Sequence, residues 1–501
     1  MSEVIAGALA ILVAPQTLAA VLASGLFGLF VGAVPGLTAT MATALLVPLT
    51  FYMEPVPAIA AMITASAMAI FAGDIPSALL RMPGTPASAA YTDALHRLTR
   101  AGRVELGLGI CLFASAVGGL FGALVLTLAA PALAEFALGF STFEYFWLAC
   151  LGLSCAAFVA GPRPLKGAIA LLLGLLFSTV GLDPVTGVTR FTFGHVDLVG
   201  GLGLVPVLIG MFALAEILRF AATAERLRLE GRGPIGNVFA GVLPLLWRQR
   251  LAVARGNLLG VGIGALPGAG ADIAAWISFA LARRRAARRP DADGEAGAIA
   301  GGSAANNASL AAAYVPATVF GIPGDSITAI VIGVLFMKGL TPGPAVFLHQ
   351  PELVYAVFFS FFLANLLLIP LGLLAIRLAR RLLALPREVL MPIILLFCIV
   401  GAFAMTNTMF SVWVMLVMGV LGWLMEENGI PVAPLVLGLV LGPMVQENFL
   451  TSMMKSDGSF LAFFERPLAG ALGVLTIAVW LAPLGIALAR RLRRPKPALE
   501  A

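Results

Sequence analysis

The sequence predicts an all-α polytopic membrane protein, with transmembrane helices arranged in two inverted repeats that carry re-entrant or broken helices. Three observations lead there. The 501 residues are 60% hydrophobic and only 11% charged, with a mean hydropathy of +1.02, whereas soluble domains carry about a quarter charged residues. Apolar runs long enough to span a bilayer recur along the whole chain, suggesting roughly ten to twelve crossings at about 20 residues each. Two pairs of Pro-Gly interruptions also recur in the same order. Pro35-Gly36 and Pro267-Gly268 stand 232 residues apart, and Pro83-Gly84 and Pro323-Gly324 stand 240 apart.

The first half opens on a short amphiphilic start without a basic region before its apolar stretch, so no cleavable signal peptide is expected. Apolar segments follow at residues 17–34, 37–51 and 57–72. A polar interruption from Gly73 to Arg103 holds Asp74, Arg81 and the Pro83-Gly84 break, and ends in Arg97, Arg100 and Arg103. Arg81 lies seven residues after Asp74, two turns on if one helix continues, so an Asp74–Arg81 pair is one expectation. Further spans are expected at 106–134, 143–160, 165–180 and 198–221.

The stretch from Glu225 to Arg255 is the most hydrophilic connection and divides the chain. Residues 1–222 form the expected first repeat, 223–255 a cytoplasmic linker, 256–489 a second repeat plus a last helix, and 490–501 a basic cytoplasmic tail. Within the linker, residues 238–247 suit an interfacial helix. The second half restarts with Gly264-Ala-Leu-Pro-Gly268-Ala-Gly270-Ala-Asp272 and a basic cluster from Arg283 to Arg289. Then come Asn306-Asn307, the Pro323-Gly324 break with Asp325 and Ser326, and helical runs at 353–376, 390–405, 411–425, 431–445 and 468–489.

Arginine-rich loops mark the cytoplasmic side. With them placed together, the span after Pro83-Gly84 leaves a basic loop and runs outward. The span after Pro323-Gly324 starts from an uncharged stretch, ends at Arg377 and runs inward. Hence the repeats are read as inverted. The net charge of +6 sits in these short loops and gives no reason to expect a nucleic-acid partner; the partner it implies is the lipid bilayer. Cys111, Cys150, Cys155 and Cys398 lie in apolar segments without metal spacing and read as buried free thiols. The scattered His96, His195 and His349 read as interfacial or loop residues, and no metal site is expected.

Pro removes a backbone donor and Gly frees φ, so a helix carrying Pro-Gly breaks there. Pro and Gly also simply kink membrane helices. Broken backbone in lipid survives only inside protein or along a watery cavity, and paired breaks in two halves point to a transporter's binding site. A helix that restarts past a break offers unpaired N–H groups and a positive dipole end, which suits a carboxylate. The candidate substrate residues are therefore Pro35, Gly36, Thr38 and Thr40 at the first break; Pro83, Gly84 and Thr85 at the second; Pro267, Gly268 and Gly270 at the third; and Pro323, Gly324 and Ser326 at the fourth, together with the amides of Asn306 and Asn307. Asp74, Asp272 and Asp325 stand close to the breaks, where carboxylates mark ion or proton paths or pair with a base. They are the candidate coupling residues.

At these residues the chain resembles the large membrane subunit of the tripartite tricarboxylate transporters. The resemblance covers nearly the whole length. It is carried by Gly32-Ala-Val-Pro-Gly-Leu37, Met82-Pro-Gly-Thr-Pro86, Gly264-Ala-Leu-Pro-Gly-Ala-Gly270, Ala304-Ala-Asn-Asn-Ala308 and Gly321-Ile-Pro-Gly324 leading to Gly339-Leu-Thr-Pro-Gly-Pro344, in order. It implies secondary uptake of a carboxylate across a bacterial inner membrane, driven by a cation gradient (Na+ or H+) and needing no other cofactor. It also implies a small four-helix membrane subunit and a periplasmic solute-binding protein as partners. The chain departs from the family pattern at Asp74, Arg81, Gly302-Ser303 and Asp325, where the family usually has Ser, Asn, Pro-Glu and a small neutral residue, and at Asp93-Ala94, where it has Asp-Gly. A stand-alone carboxylate symporter is the nearer alternative. An intramembrane aspartyl protease using Asp74 with Asp272 or Asp325 is remote, because the Gly-Xaa-Gly-Asp motif is absent.

Overall fold

The computed structural model describes residues 2–159, 164–183, 186–222, 238–239, 241–268, 270–288, 293–383 and 387–492. The expected linker segment at 223–237 and the tail beyond 492 lie outside the described residues. The rest is almost wholly helical, with one two-stranded ribbon pairing Gly181–Leu182 with Thr189–Arg190. The chain is an all-α polytopic membrane protein.

Seven of the described helices are long and apolar enough to cross a membrane, and six shorter apolar helices stand beside them. Two of the shorter helices are cut by the breaks. Ala39–Thr50 and Ser326–Met337 have 12 residues each and start at a break. At 1.5 Å per residue each spans about 18 Å, short of a hydrocarbon core of about 30 Å.

Two helices stand at the centre. Pro55–Ala72 and Gly294–Phe320 are buried on nearly every side, as expected of helices without a polar face. Their Ala, Gly and Ser residues let neighbours approach to backbone contact, the usual packing mode in membranes. A Cβ on Gly28 or Gly32 of Pro15–Ala33 would come within 2.3 or 2.4 Å of the carbonyl oxygen of Ala65 or Ala69. A Cβ on Gly260 or Gly264 of Arg250–Gly264 would come within 2.5 Å of that of Ala305 or Ser309. These two pairs of contacts are related by the offsets already seen in the breaks: 232 residues on one side, 240 on the other.

The recurrence extends to hydrogen bonds. Arg81 and Gly321, 240 residues apart, both end their helices in the left-handed region, at φ 58° and 68°, and their amides bond back to Pro76 O and Pro316 O. Thr85 and Ser88 cap one another reciprocally: each backbone N–H donates 3.1 Å to the other's hydroxyl. Asp325 and Thr328 are likewise reciprocal: Asp325 N donates 2.9 Å to the Thr328 hydroxyl and Thr328 N donates 2.8 Å to the Asp325 carboxylate. Local sequence and its packing are thus duplicated.

Gly260→Ala is expected to destabilise the protein by about 1–3 kcal/mol, the usual cost of overpacking, because the opposing atom is backbone and has nowhere to swing. Gly262→Ala, where a Cβ meets nothing within 4 Å, is the control. Thermal unfolding in detergent measures both, and equal midpoints would contradict the tight contact.

Three expectations need correction. Asp74 does not pair with Arg81. The Asp74–Leu80 helix ends before Arg81, whose guanidinium bonds Asp93 at 2.8 Å and holds that carboxyl below its ordinary range, first by the hydrogen bond and then by charge. His96 is not interfacial but buried, 2.9 Å from Ala78 O through Nδ1. The expected 198–221 span starts only at Leu204 and contains a π-helical turn, Ile209–Leu214. In the 238–247 segment, Val238, Val242 and Leu245 pack into the bundle while Leu243 and Trp247 are exposed.

Candidate substrate and ion site

Three helices begin at breaks and send their N-termini to one place. Ala39–Thr50 is capped by Thr38, whose hydroxyl accepts from Met41 N at 3.2 Å. Gly270–Arg288 starts after Gly268 at φ 76° and Gly270 at φ 70°, backbone that favours glycine. Ser326–Met337 is capped by Asp325, whose Oδ1 accepts from Thr328 N at 2.8 Å and from its hydroxyl at 2.7 Å. The second break differs: past Pro83-Gly84 comes the Thr85–Ser88 turn and a three-residue 3-10 segment rather than a long helix. Trp276 Nε1 donates 3.0 Å to Pro86 O, tying the third-break helix to the second break.

Around these ends lies a cavity of about 470 Å³, within the usual range for small-molecule sites. Of the residues picked from sequence, Thr38, Thr40, Thr85, Gly268, Gly270, Asp272, Asn306, Asp325 and Ser326 line it. Thr38 and Gly270, Thr40 and Asp272, and Thr85 and Asp325 are counterparts at the two offsets, so the halves face each other across the cavity with different chemistry. The first-half wall presents only hydroxyls as polar side chains; the second-half wall sets the carboxylates of Asp272, Asp325 and Glu426 beside Ser326 and Asn306. Asn306 is 2% exposed and has no side-chain hydrogen-bond partner among the described residues, so its amide is available to the cavity.

The other candidates do not line the cavity. Pro35, Gly36, Pro83, Pro267 and Pro323 shape the breaks. Gly84 N donates 3.1 Å to Gly73 O, and a Cβ on Gly324 would meet Ala313 at 2.8 Å. Asn307 is buried beside Asn306, and neither its Oδ1 nor its Nδ2 has a partner among the described residues. Asp74 belongs to a separate buried network: Tyr91 OH donates to it at 2.9 Å, Ser303 Oγ lies 3.5 Å away, and Ser115 shares that hydroxyl at 2.9 Å. The pairing of Asp74 with Asp272 or Asp325 that a protease would need is therefore not formed.

Sequence reasoning missed Glu426, Phe212, Pro431, Val432 and Leu437, which complete the wall. None lies at a Pro-Gly break, and Glu426 ends an ordinary apolar run, 3.3 Å from Arg219. The π-helical turn carrying Phe212 is a feature that clusters at functional sites. Its only sequence trace is Pro206 and Gly210 within one apolar run.

The arrangement can hold opposite charges at opposite walls. The Thr38 N-terminus carries no acid and offers a positive dipole end with two threonine hydroxyls, a place for an anion. Asp272 in the first turn and Asp325 at the cap already neutralise the other two N-termini, so their remaining oxygens favour a cation. No Lys, Arg or His lines the cavity among the described residues.

Compared with known families, residues 18–437 match the family described as tripartite tricarboxylate transporter TctA. The chain belongs to the TctA family. A curated relative from Agrobacterium vitis, "Uncharacterized 52.8 kDa protein in TAR-I ttuC' 3'region", is 34% identical over 470 residues, covering 93% of this chain and 92% of that protein. A second from the same organism, "Uncharacterized protein in TAR-II ttuC' 3'region", is 34% identical over 232 residues, covering 46% of this chain and 94% of that protein. No solved structure matches. Family membership makes the chain a membrane transporter component of a tripartite system, and the cavity at the converging breaks is its candidate site.

Proposed function

We propose that this TctA-family chain is the large membrane subunit of a secondary transporter that imports a carboxylate on a cation gradient across a bacterial inner membrane. In this reading a periplasmic binding protein delivers the substrate and a small four-helix subunit completes the membrane complex. The observation that carries it is a cavity where helix N-termini from both halves meet, with threonine hydroxyls from the first half and carboxylates from the second. The substrate carboxylate sits against Thr38, Thr40, Thr85 and Asn306, and the coupling cation against Asp272 and Asp325. The halves are inverted, with both termini of the alternating-access motion served by the same site. Arginine placement supports that orientation and a cytoplasmic C-terminus. A single cysteine at Ala286 is expected to label only from the cytoplasm and one at His349 only from the periplasm; same-side labelling would remove the inversion.

The function is tested in vesicles. With this chain alone, uptake of citrate and a panel of smaller carboxylates is expected to stay near background. Adding the small subunit and the loaded binding protein should raise it at least tenfold. Full uptake by the isolated chain would favour the stand-alone symporter.

A further inference from the structure

A second cavity, of about 680 Å³, lies away from the breaks between Arg250–Gly264, Gly270–Arg288 and Gly294–Phe320. Its walls are two helix faces. Leu251, Arg255, Leu258 and Leu259 follow the i, i+4, i+7, i+8 spacing on one helix, and Ser278, Leu281, Ala282, Arg285 and Ala286 the i, i+3, i+4, i+7, i+8 spacing on the other. Gly297 and Ala298 of the central helix close the back.

Charge and apolar surface are segregated here. Arg248, Arg255 and Arg285 line the cavity. Arg248 lies 3.5 Å from Asp293, while Arg255 and Arg285 form no ion pair among the described residues. Leu251 and Leu258 are 62% and 64% exposed on the adjoining surface. Beside the rim, Trp247 is 73% exposed with the Arg250 guanidinium 5.4 Å from its ring centroid, the amphipathic pairing found where a helix meets headgroups. Arg255 and Arg285, with leucine surface below them, present fixed positive charge and acyl-chain-compatible walls together.

We propose that this groove binds an anionic phospholipid of the surrounding bilayer. Arg255 and Arg285 hold the phosphate from two sides, as guanidinium forks do. The acyl chains run down Leu258, Leu259 and Leu281, each about one turn deeper than the arginines. Basic pockets between membrane helices on the cytoplasmic side suit such headgroups, and the arginine-rich ends place this groove on that side. A purely apolar helix of a partner subunit is a poorer occupant, since it would leave both arginines without an acceptor. The bound lipid would brace the two helices that frame the third break, independently of which substrate the transport cavity takes.

The full chain, purified in a neutral detergent, tests this by thermal unfolding with phosphatidylglycerol, phosphatidylcholine or inorganic phosphate added, and by native mass spectrometry. Phosphatidylglycerol is expected to raise the midpoint at least three times as much as phosphatidylcholine, with one or more lipids retained in the gas phase. Arg255→Ala with Arg285→Ala should abolish the difference. Leu258→Trp, which fills the groove and keeps the charges, should abolish it too, and serves if the double variant does not fold. Equal shifts from both lipids, or a full shift in both variants, would overturn the site. A full shift from phosphate alone would replace the lipid by a simple anion site.

Discussion

Asp272→Asn is expected to weaken the apparent affinity for the coupling cation by tenfold or more, about 1.4 kcal/mol for each tenfold, while substrate affinity changes less than threefold. The two acids are not equivalent. Asp325 spends Oδ1 on its own helix, accepting from Thr328 N and Oγ1. Asp272 is exposed within the cavity and is the freer ligand. Asp325→Asn can still accept those bonds through its amide oxygen, so a smaller loss of cation affinity is expected, with little loss of stability. Removing the negative charge at Asp272 leaves the Thr38, Thr40 and Thr85 wall untouched, so the cation and the anion should separate in the kinetics. If the acid carries a proton instead, Asp272→Asn removes the pH dependence of uptake and sodium never matters. Wild-type dependence on both sodium and pH in Asp272→Asn would refute a coupling role. The acids would then be lining groups that select a substrate less anionic than a tricarboxylate.

Asn306→Ala is expected to abolish uptake while insertion and the unfolding midpoint stay close to wild type. Its amide faces the cavity unpaired, so the loss falls on the bound substrate, roughly 1–3 kcal/mol for a group left without its partner. Asn307 should behave differently. Its amide is 1% exposed and has no partner in this conformation among the described residues, so Asn307→Leu is expected to keep or raise the unfolding midpoint. Loss of uptake with retained stability would assign Asn307 to a conformation other than this one. Loss of stability in Asn307→Leu, or unchanged uptake in Asn306→Ala, would return either amide to helix packing.

Much of this was legible before any coordinates. Composition determined the environment, since so few charges over so many apolar residues cannot fold around one soluble core. The breaks were legible because Pro and Gly act on their own backbone: of the four break glycines, Gly36 and Gly268 adopt positive φ, at 90° and 76°, while Gly84 and Gly324 do not. The offsets of 232 and 240 were legible as text and recur as contacts. The Asp325-Ser-Ile-Thr328 cap was legible too, as an Asp followed three residues on by a side chain that can bond back, although the acid was read only as an ion ligand. Of the acids flagged beside breaks, Asp272 lines the cavity and Asp74 does not.

What the sequence could not decide is which way a side chain points and what comes from far along the chain. Neighbouring helical residues are rotated by about 100°, so the choice between Asn306 and Asn307 rests on where the Gly294–Phe320 helix meets the cavity. Asp74 finds Tyr91 and Ser303, 17 and 229 residues away, one in its own half and one in the other. Glu426 and Phe212 enter the site from helices with no break at all. Local chemistry fixed where the chain interrupts its helices; only the packing of small residues, backbone against backbone, decided that the interruptions meet.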